Sequence, residues 1–380
     1  MLKVALICTE SLPAPAIKGG AIQMFIDGVA PFLKEEYHLT IYSINDTALK
    51  RYEVKGGIEY IRFPKESYEQ DVANHLKRRR FQLIHVFNRP EYLLEYQKAS
   101  PESRFILGLH NDMLSERKIN DEVGEQVVHA ASHIVTISYF IKCKVIERFP
   151  EAEEKTTVVY SGVDLAKFPK RESEEGRSVR ERYRERFGVK DKKVILFVGR
   201  LSKNKGPDLL IDAMQMLIKD DPNVILLVVG GKWFSDNGMN RFTWQLYDRA
   251  KGIKNNIVFT KFIPADEIGN IFLLGDIFVC PSQWEEPLAR VHYEAMAAGI
   301  PVVTTNRGGN SEVILHKMNG YLIEDYQNEV AFVRGIQFFI NHPEVSSWIT
   351  ENGRKFVEAN FQFKHAARRL SDVYKKYLDQ

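Results

Sequence analysis

The chain reads as an α/β protein made of two Rossmann-like, parallel-sheet halves in succession. Three observations predict this. Short, nearly continuous apolar runs alternate with amphipathic stretches; the rhythm breaks once, between Lys170 and Arg186; and it then restarts. Strands that are apolar along their whole length belong to parallel sheets covered on both faces. At 380 residues the chain is long for one core and comfortable for two, since domains run about 100–200 residues.

Residues 3–8 form the first buried-strand pattern, and residues 22–33 carry Ile22, Phe25, Ile26, Val29, Phe32 and Leu33 at helical spacing. Strands are predicted at 39–43, 59–63, 83–87, 105–109, 134–137 and 157–159, and helices at 68–80 and 140–149. The stretch 170–186 is rich in Arg and Glu, with hardly a core-forming residue before Tyr183 and Phe187. It reads as an exposed linker running into a charged helix, so a first domain of 1–169 and a second of 190–360 flank a 170–189 connection. The second half restarts with a strand at 194–198 and a helix at 207–219 with Leu209, Leu210, Ala213, Met214 and Leu217 on one face. Strands follow at 224–229, 257–260, 277–280, 301–304 and 320–323, with helices at 266–274 and 291–298. Residues 330–378 read as helical with a break near Asn360-Phe361.

Composition narrows the function. Hydrophobic residues make up 44% and charged residues 27%, and the formal net charge is only +3, which gives no argument for a nucleic-acid partner. The one dense basic run, Lys77-Arg78-Arg79-Arg80, reads as a solvated helix end, with an anionic surface such as lipid as the alternative. Membrane association is therefore expected to be peripheral at most. Cys8, Cys143 and Cys280 are odd in number and far apart, which fits a reducing compartment rather than a disulfide framework. The start lacks the features of a secretory signal, and no apolar stretch approaches the ~20 residues of a membrane span. The expectation is a cytoplasmic protein. No pair of cysteines has metal-ligand spacing.

In doubly wound folds ligands sit beyond the carboxyl ends of the strands, so the motifs that follow strands carry the argument. Lys18-Gly19-Gly20-Ala21 precedes the first helix. It reads either as a cradle of backbone amides for phosphate or sugar, or as a plain loop-to-helix junction. Gly199-Arg200-Leu201-Ser202-Lys203-Asn204-Lys205-Gly206 follows a strand and opens a helix. Arg200 and Lys205 suit a diphosphate clamp; a solvated basic loop is the bland reading.

The most informative stretch runs from Cys280 to Gly299. Pro287 is expected just inside a helix start, which would turn the amides of Leu288, Ala289, Arg290 and Val291 toward a ligand. Glu294, about two turns in and among small apolar residues, needs a partner. Ribose hydroxyls would serve, as would a nearby arginine. Glu286 lies outside that helix and has the same two readings. His110, in His110-Asn111-Asp112 after a strand, suits contact with a sugar or a leaving phosphate, or a structural role. Arg89 and Tyr92 are acceptor-groove candidates in what reads as a surface loop.

Together these residues resemble family 4 glycosyltransferases. The resemblance rests on Gly199-Arg200-Leu201 with Lys205-Gly206, on Glu286 and Glu294 with seven residues between them, and on Glu294-Ala-Met-Ala-Ala-Gly-Ile-Pro301. Asn306-Arg307-Gly308-Gly309-Asn310-Ser311-Glu312 and Tyr160-Ser161-Gly162-Val163-Asp164 extend it over nearly the whole chain. Lys18-Gly-Gly-Ala-Ile-Gln23 and Glu286-Pro-Leu-Ala-Arg-Val-His-Tyr-Glu294 are similar to the spore-coat members of that family from spore-forming bacteria.

The resemblance implies a GT-B fold: two Rossmann-like domains facing a central cleft, with the last helix, 361–380, crossing back to the first. It implies retaining transfer of a hexose from a nucleoside diphosphate sugar, a UDP-sugar favoured, to a glycan, lipid or small-molecule acceptor. Arg200 and Lys205 would hold the diphosphate, Glu294 the ribose, and Glu286 the transferred sugar. Gly19 and Gly20 would offer amides, and His110 would contact the sugar. Leu288, Ala289 and Arg290 stand where the family often has Phe-Gly, which bears on donor identity.

The chain contains no Asp-x-Asp, so no metal or other cofactor is expected. A front-face mechanism follows, because no second carboxylate suits the nucleophile of a double displacement. The resemblance further suggests a place in spore-coat or cell-surface glycan synthesis, with coat proteins as partners and incorporation in the coat. Two alternatives stay open: a nucleotide-binding structural coat protein with little turnover, and a sugar-nucleotide epimerase or phosphorylase on the same fold. A dehydrogenase would need the absent Gly-x-Gly-x-x-Gly.

Overall fold

The computed structural model describes residues 1–232 and 238–378. The chain divides into two compact units, Met1–Gly162 with Phe363–Gln380 and Val163–Gln362.

The strands of the first unit are β1 (Leu2–Ile7), β2 (Tyr37–Ile44), β3 (Tyr52–Lys55), β4 (Ile58–Phe63), β5 (Leu83–Phe87), β6 (Arg104–Leu109), β7 (His133–Thr136) and β8 (Thr156–Val158). Its helices are α1 (Ala21–Leu33), α2 (Tyr68–Leu76), α3 (Pro90–Ala99), α4 (Asp121–Ala130) and α5 (Tyr139–Arg148). The sheet order is β3-β4-β2-β1-β5-β6-β7-β8. All neighbours are parallel except β3, which forms an antiparallel hairpin with β4. That hairpin turns on Gly56 and Gly57, both at positive φ (58° and 80°), the conformation a two-residue hairpin loop demands.

The second unit contains α6 (Glu174–Arg186), β9 (Lys193–Val198), α7 (Pro207–Asp220), β10 (Val224–Val229), α8 (Arg241–Arg249), β11 (Ile257–Lys261), α9 (Ile268–Leu274) and β12 (Ile277–Cys280). It continues with α10 (Val291–Ala298), β13 (Val302–Thr305), β14 (Tyr321–Ile323), α11 (Glu329–Asn341) and α12 (Pro343–Asn360). Its six strands run in the order β11-β10-β9-β12-β13-β14, all parallel. The chain then returns to the first unit for α13 (Phe363–Leu378), so the last two residues of the expected 361–380 helix lie outside the described residues.

α13 lays Ala366, Leu370, Val373 and Tyr374 into the first unit's core with Phe25, Val29 and Leu33 of α1. Two hydroxyls fix it: Tyr374 Oη lies 2.7 Å from His85 Nδ1, and Tyr377 Oη lies 3.0 Å from His133 Nδ1.

Several segments differ from the sequence expectation. α2 ends at Leu76, not at residue 80, because the amides of Arg78 and Arg79 tighten onto the carbonyls three residues back. Arg79 then pairs with Glu59 at 2.8 Å instead of lying loose in solvent. The expected loop at 88–92 becomes α3 at Pro90, whose fixed φ suits a first helical turn.

The charged stretch holds α6, which belongs to the second unit. Arg171, Arg180 and Arg184 converge on Asp276 at 2.9, 2.6 and 3.2 Å. The same guanidiniums donate to the carbonyls of Leu273, Leu274 and Gly275, which capping leaves open at the end of α9. Among the described residues no helix is long and apolar enough to cross a membrane.

Candidate active site

The carboxyl ends of β9, β12 and β13 gather the second unit's functional residues. After β9 the chain passes Arg200, makes a short 3-10 turn at Lys203–Lys205, and enters α7 through Gly206. Gly206 is at φ 64°, and a Cβ there would lie 2.1 Å from Pro281 O. The loops after β9 and β12 therefore pack backbone to backbone, tied by Gln283 N donating to Asn204 O at 2.8 Å. Such contact is open only to glycine.

This packing brings Lys205 to Glu286. The Lys205 ammonium donates to Glu286 Oε1, and Ser282 Oγ donates to the same oxygen at 2.5 Å. Glu286 is 3% exposed. Burial alone would raise its carboxyl, but the Lys205 ammonium and the Ser282 hydroxyl outweigh that and hold it below the usual carboxylate range. Lys205 also lies 5.8 Å from the centroid of the Trp284 ring, a cation–π distance. Burial lowers the Arg200 guanidinium, while the Glu286 charge acts in the opposite direction.

The helix runs over 291–298 as its apolar pattern predicts, so Pro287 lies outside it and not just inside its start. A start at Pro287 would need Glu286 O to accept from the first turn of the helix. That oxygen accepts from Gly309 N at 2.8 Å instead, so residues 287–290 follow an irregular path. Gly308, at φ 58°, makes the approach feasible, since a Cβ there would lie 2.1 Å from Glu286 O. The Gly308-Gly309 pair thus has a defined task, which is to hold the backbone of Glu286.

Leu288 and Ala289 are buried, and the first intrahelical amides, His292 N and Tyr293 N, bond to Ala289 O and Arg290 O. Glu294 consequently lies in the first turn of α10, not two turns in. Its Oε1 is 3.3 Å from Arg290 Nη2, an i,i+4 ion pair with both side chains mostly buried.

Three supporting residues had escaped the sequence reading. Ser282, buried at the end of β12, orients Glu286 and receives Thr305 Oγ1 on its carbonyl at 2.8 Å. Thr304 Oγ1 donates to Cys280 O at 3.1 Å and lies 2.9 Å from His292 Nε2. With the hydroxyl proton already engaged, His292 must carry its proton on Nε2. Burial pushes His292 down to about 4, so the ring is neutral. All three sit within or beside the motif, but their role becomes visible only when β12 and β13 pair.

In the first unit, Gly20 caps α1 without a side-chain bond, while Gly19 N donates to Ala16 O at 2.9 Å. The Gly19 amide is thus engaged by its own loop. His110 N donates to Asn88 Oδ1 at 2.7 Å, and its ring packs edge-on against Phe25, centroids 4.9 Å apart. Asn88 has a positive φ of 51° at the end of β5, a strand-end position that the sequence reading passed over. Arg89 makes a two-pronged pair with Glu10 at 2.6 and 2.5 Å, which anchors it at the end of β1.

Comparison with known proteins decides the family. Residues 179–356 match the family described as Glycosyl transferases group 1, and residues 34–167 match Glycosyltransferase Family 4. YtcC of Bacillus subtilis (strain 168), a glycosyltransferase by name, is 52% identical over 377 residues, covering 99% of this chain and 93% of YtcC. The chain belongs to the group 1 and family 4 glycosyltransferases.

Another relative of this glycosyltransferase is "Spore coat protein SA" of Bacillus subtilis (strain 168), 41% identical over 99% of this chain and 100% of that protein. Solved structures share its GT-B fold. Anabaena Alr3699/HepE in complex with UDP-glucose aligns with TM-score 0.80 at 22% identity, covering 99% of this chain and 100% of that one. A glycosyltransferase from Rickettsia africae ESF-5 aligns with TM-score 0.81 at 21% identity, covering 100% and 99%.

A cavity of about 390 Å³ opens at the opposite, amino-terminal edge of the glycosyltransferase's second sheet, beside Arg184, Lys193 and Asp276. It is not the site. Asp276 there is already taken by arginines and Lys193 by Asp221, and the family motifs lie at the other end of the strands.

Proposed function

We propose that this glycosyltransferase moves a hexose from a nucleoside diphosphate sugar, a UDP-sugar favoured, to an acceptor hydroxyl with retention of configuration. One observation carries the reading: the Lys205–Glu286 and Arg290–Glu294 pairs, with Arg200, stand at neighbouring strand ends of one parallel sheet. Such strand ends are where α/β folds bind nucleotides.

The roles follow from charge. Arg200 and Lys205 meet the diphosphate, Glu294 accepts from the ribose hydroxyls, and Glu286 accepts from hydroxyls of the transferred sugar. His110 and the Gly20 amide are assigned to sugar and phosphate contact in the same reading. In the reaction the bond from the anomeric carbon to the diphosphate oxygen breaks. A bond from the same carbon to the acceptor oxygen forms on the same face, and the acceptor proton passes to the leaving diphosphate. Preorganised cations stabilise the charge that develops on the leaving group. In this account they do so without a metal ion. The acceptor is a glycan, a lipid or a small molecule, and the likeness to a spore coat protein supports placing the step in spore-coat or cell-surface glycan synthesis.

The test is release of nucleoside diphosphate from a panel of UDP-, GDP-, ADP- and dTDP-sugars, in the presence of a chelator. The chelator should leave the rate unchanged, and Arg200→Ala should lower it on the order of 10²-fold, the usual cost of removing one transition-state donor. A protein that binds a nucleotide sugar but never releases diphosphate, with or without added metal and acceptor extracts, would favour the non-catalytic coat reading.

A further inference from the structure

β3 ends the first unit's sheet, with β4 on one side and no strand on the other. Its Tyr52 is 58% exposed and its Val54 62%. The pairing with β4 is antiparallel and regular, from Tyr52 opposite Ile61 to Lys55 opposite Ile58. In the same register Arg62 N donates to Arg51 O at 2.8 Å, so the opposed residues Arg51 and Arg62 form a hydrogen-bonded pair. Bonded and non-bonded pairs alternate along an antiparallel ladder. Glu53–Tyr60 and Lys55–Ile58 are therefore the next bonded pairs, and the backbone N–H and C=O of Tyr52 and Val54 point outward, away from β4.

Proline, a bulge or an unmatched charge normally keeps such an edge from pairing with another chain. β3 has neither proline nor bulge, and its two charges are of opposite sign, Glu53 and Lys55, on either side of Val54. That order is self-complementary. Laid antiparallel on a second copy with Val54 opposite Val54, each Glu53 faces the exposed Lys55 of the other chain. The outward groups of the two Val54 residues then exchange both backbone bonds. Glu53 and Lys55 become the closer, non-bonded pair, in which opposed side chains interact. Tyr52 falls opposite Gly56, beside which there is open space. Charge order and backbone phase thus select the same register. Glu53 meets Arg62 of its own chain at 2.8 Å through Oε1, so Lys55 of the second copy extends that pair into a chain of three charges.

We propose that β3 is a self-association edge, through which two copies of this chain pair antiparallel about a two-fold axis at Val54. The inference does not depend on the donor-site reading. An interface of this kind uses the same patch on both copies and closes at a dimer. The two first-unit sheets become continuous, and their parallel strands point in opposite directions in the two copies. A strand of four residues is a small contact beside a standard interface, so the dimer should be reversible and form in the micromolar range.

Sedimentation velocity of the full-length protein over a range of concentrations should show a monomer–dimer equilibrium. Val54→Pro removes an outward N–H that β4 does not use, so the hairpin should stand while association weakens at least tenfold. Lys55→Glu sets like charges opposite each other and should weaken association comparably without touching the backbone; it decides the matter if circular dichroism shows Val54→Pro unfolded. Under mild oxidation Val54→Cys should give a disulfide-linked dimer, because the twinned Cα atoms would lie about 5.5 Å apart. Tyr52→Cys and the wild type should not. A monomer at every concentration, a dimer that either folded variant leaves unweakened, or linking of Tyr52→Cys as readily as Val54→Cys would overturn the inference.

Discussion

Lys205 and Glu286 are 81 residues apart in the chain and meet as an ion pair because β9 and β12 are neighbours in the second sheet. Removing one partner of a buried pair leaves an uncompensated charge, which costs about 3 kcal/mol. Lys205→Met should therefore lower unfolding stability by that order, and adding Glu286→Gln should recover most of it. Denaturant titration of the wild type, the two single variants and the double variant gives the coupling directly. Additive losses would show that the pair is not coupled.

Gly308→Ala should be disproportionately harmful. The new methyl would lie 2.1 Å from Glu286 O, and an alanine at φ 58° carries its own strain, on the order of 1–3 kcal/mol. The backbone of Glu286 must move to make room. Loss of stability should come with loss of nucleotide-sugar binding, whereas Gly56→Ala, in a hairpin with open space around it, should cost stability alone.

Asp276 is the sole carboxylate beneath Arg171, Arg180 and Arg184 among the described residues. Burial and the nearby Arg171 push Arg180 down to about 10. Asp276→Ala strands three guanidiniums and should cost about 3–5 kcal/mol, whereas Asp276→Asn, which keeps an acceptor, should cost less. Thermal or denaturant unfolding ranks the two. Equal losses would mean that charge, rather than hydrogen bonding to α6, carries the effect.

Acid should weaken the fold in a defined window. Burial holds His133 and His292 at about 4, below their ordinary 6.5. The unfolded chain binds protons first, so their contribution is fully present above pH 6.5 and is lost as pH falls toward 4. Each adds up to about 1.4 kcal/mol per pH unit inside that window. Stability measured from pH 7 to 4.5 should fall less steeply in His133→Gln than in the wild type. Parallel slopes would remove His133 from the account.

Much of the fold was legible because buried parallel strands leave little doubt in sequence. The runs 83–87, 224–229 and 277–280 are strands with those same ends, each buried along its length. Elements half open to solvent were harder to see. β3 exposes Tyr52 and Val54, and only Gly56-Gly57 announces its hairpin. α3 buries just Pro90, Leu93, Tyr96 and Ala99. α4 buries Gly124, Val127 and Val128 and α8 buries Thr243 and Leu246, and both begin at asparagine caps, Asn120 and Asn240.

At the site, residue types and order were readable but pairings were not. Nothing local tells that Lys205 faces Glu286, or that Glu286 O is claimed by Gly309. Arg62 makes the same point. It is buried in β4 with Ala14 O, Lys50 O and Glu53, from two other segments, around its guanidinium.

The central claim is that the strand ends bearing Arg200, Lys205, Glu286 and Glu294 bind a nucleoside diphosphate sugar. Thermal unfolding of the wild type and Glu294→Gln with UDP-, GDP-, ADP- and dTDP-sugars, and NAD as control, tests it most directly. A ligand at 100 times its dissociation constant adds about 2.7 kcal/mol, a readily measured shift. The account predicts that one nucleotide sugar stabilises the wild type, that NAD does not, and that Glu294→Gln loses most of the gain. No stabilisation by any sugar nucleotide, or an unchanged gain in Glu294→Gln, would contradict it.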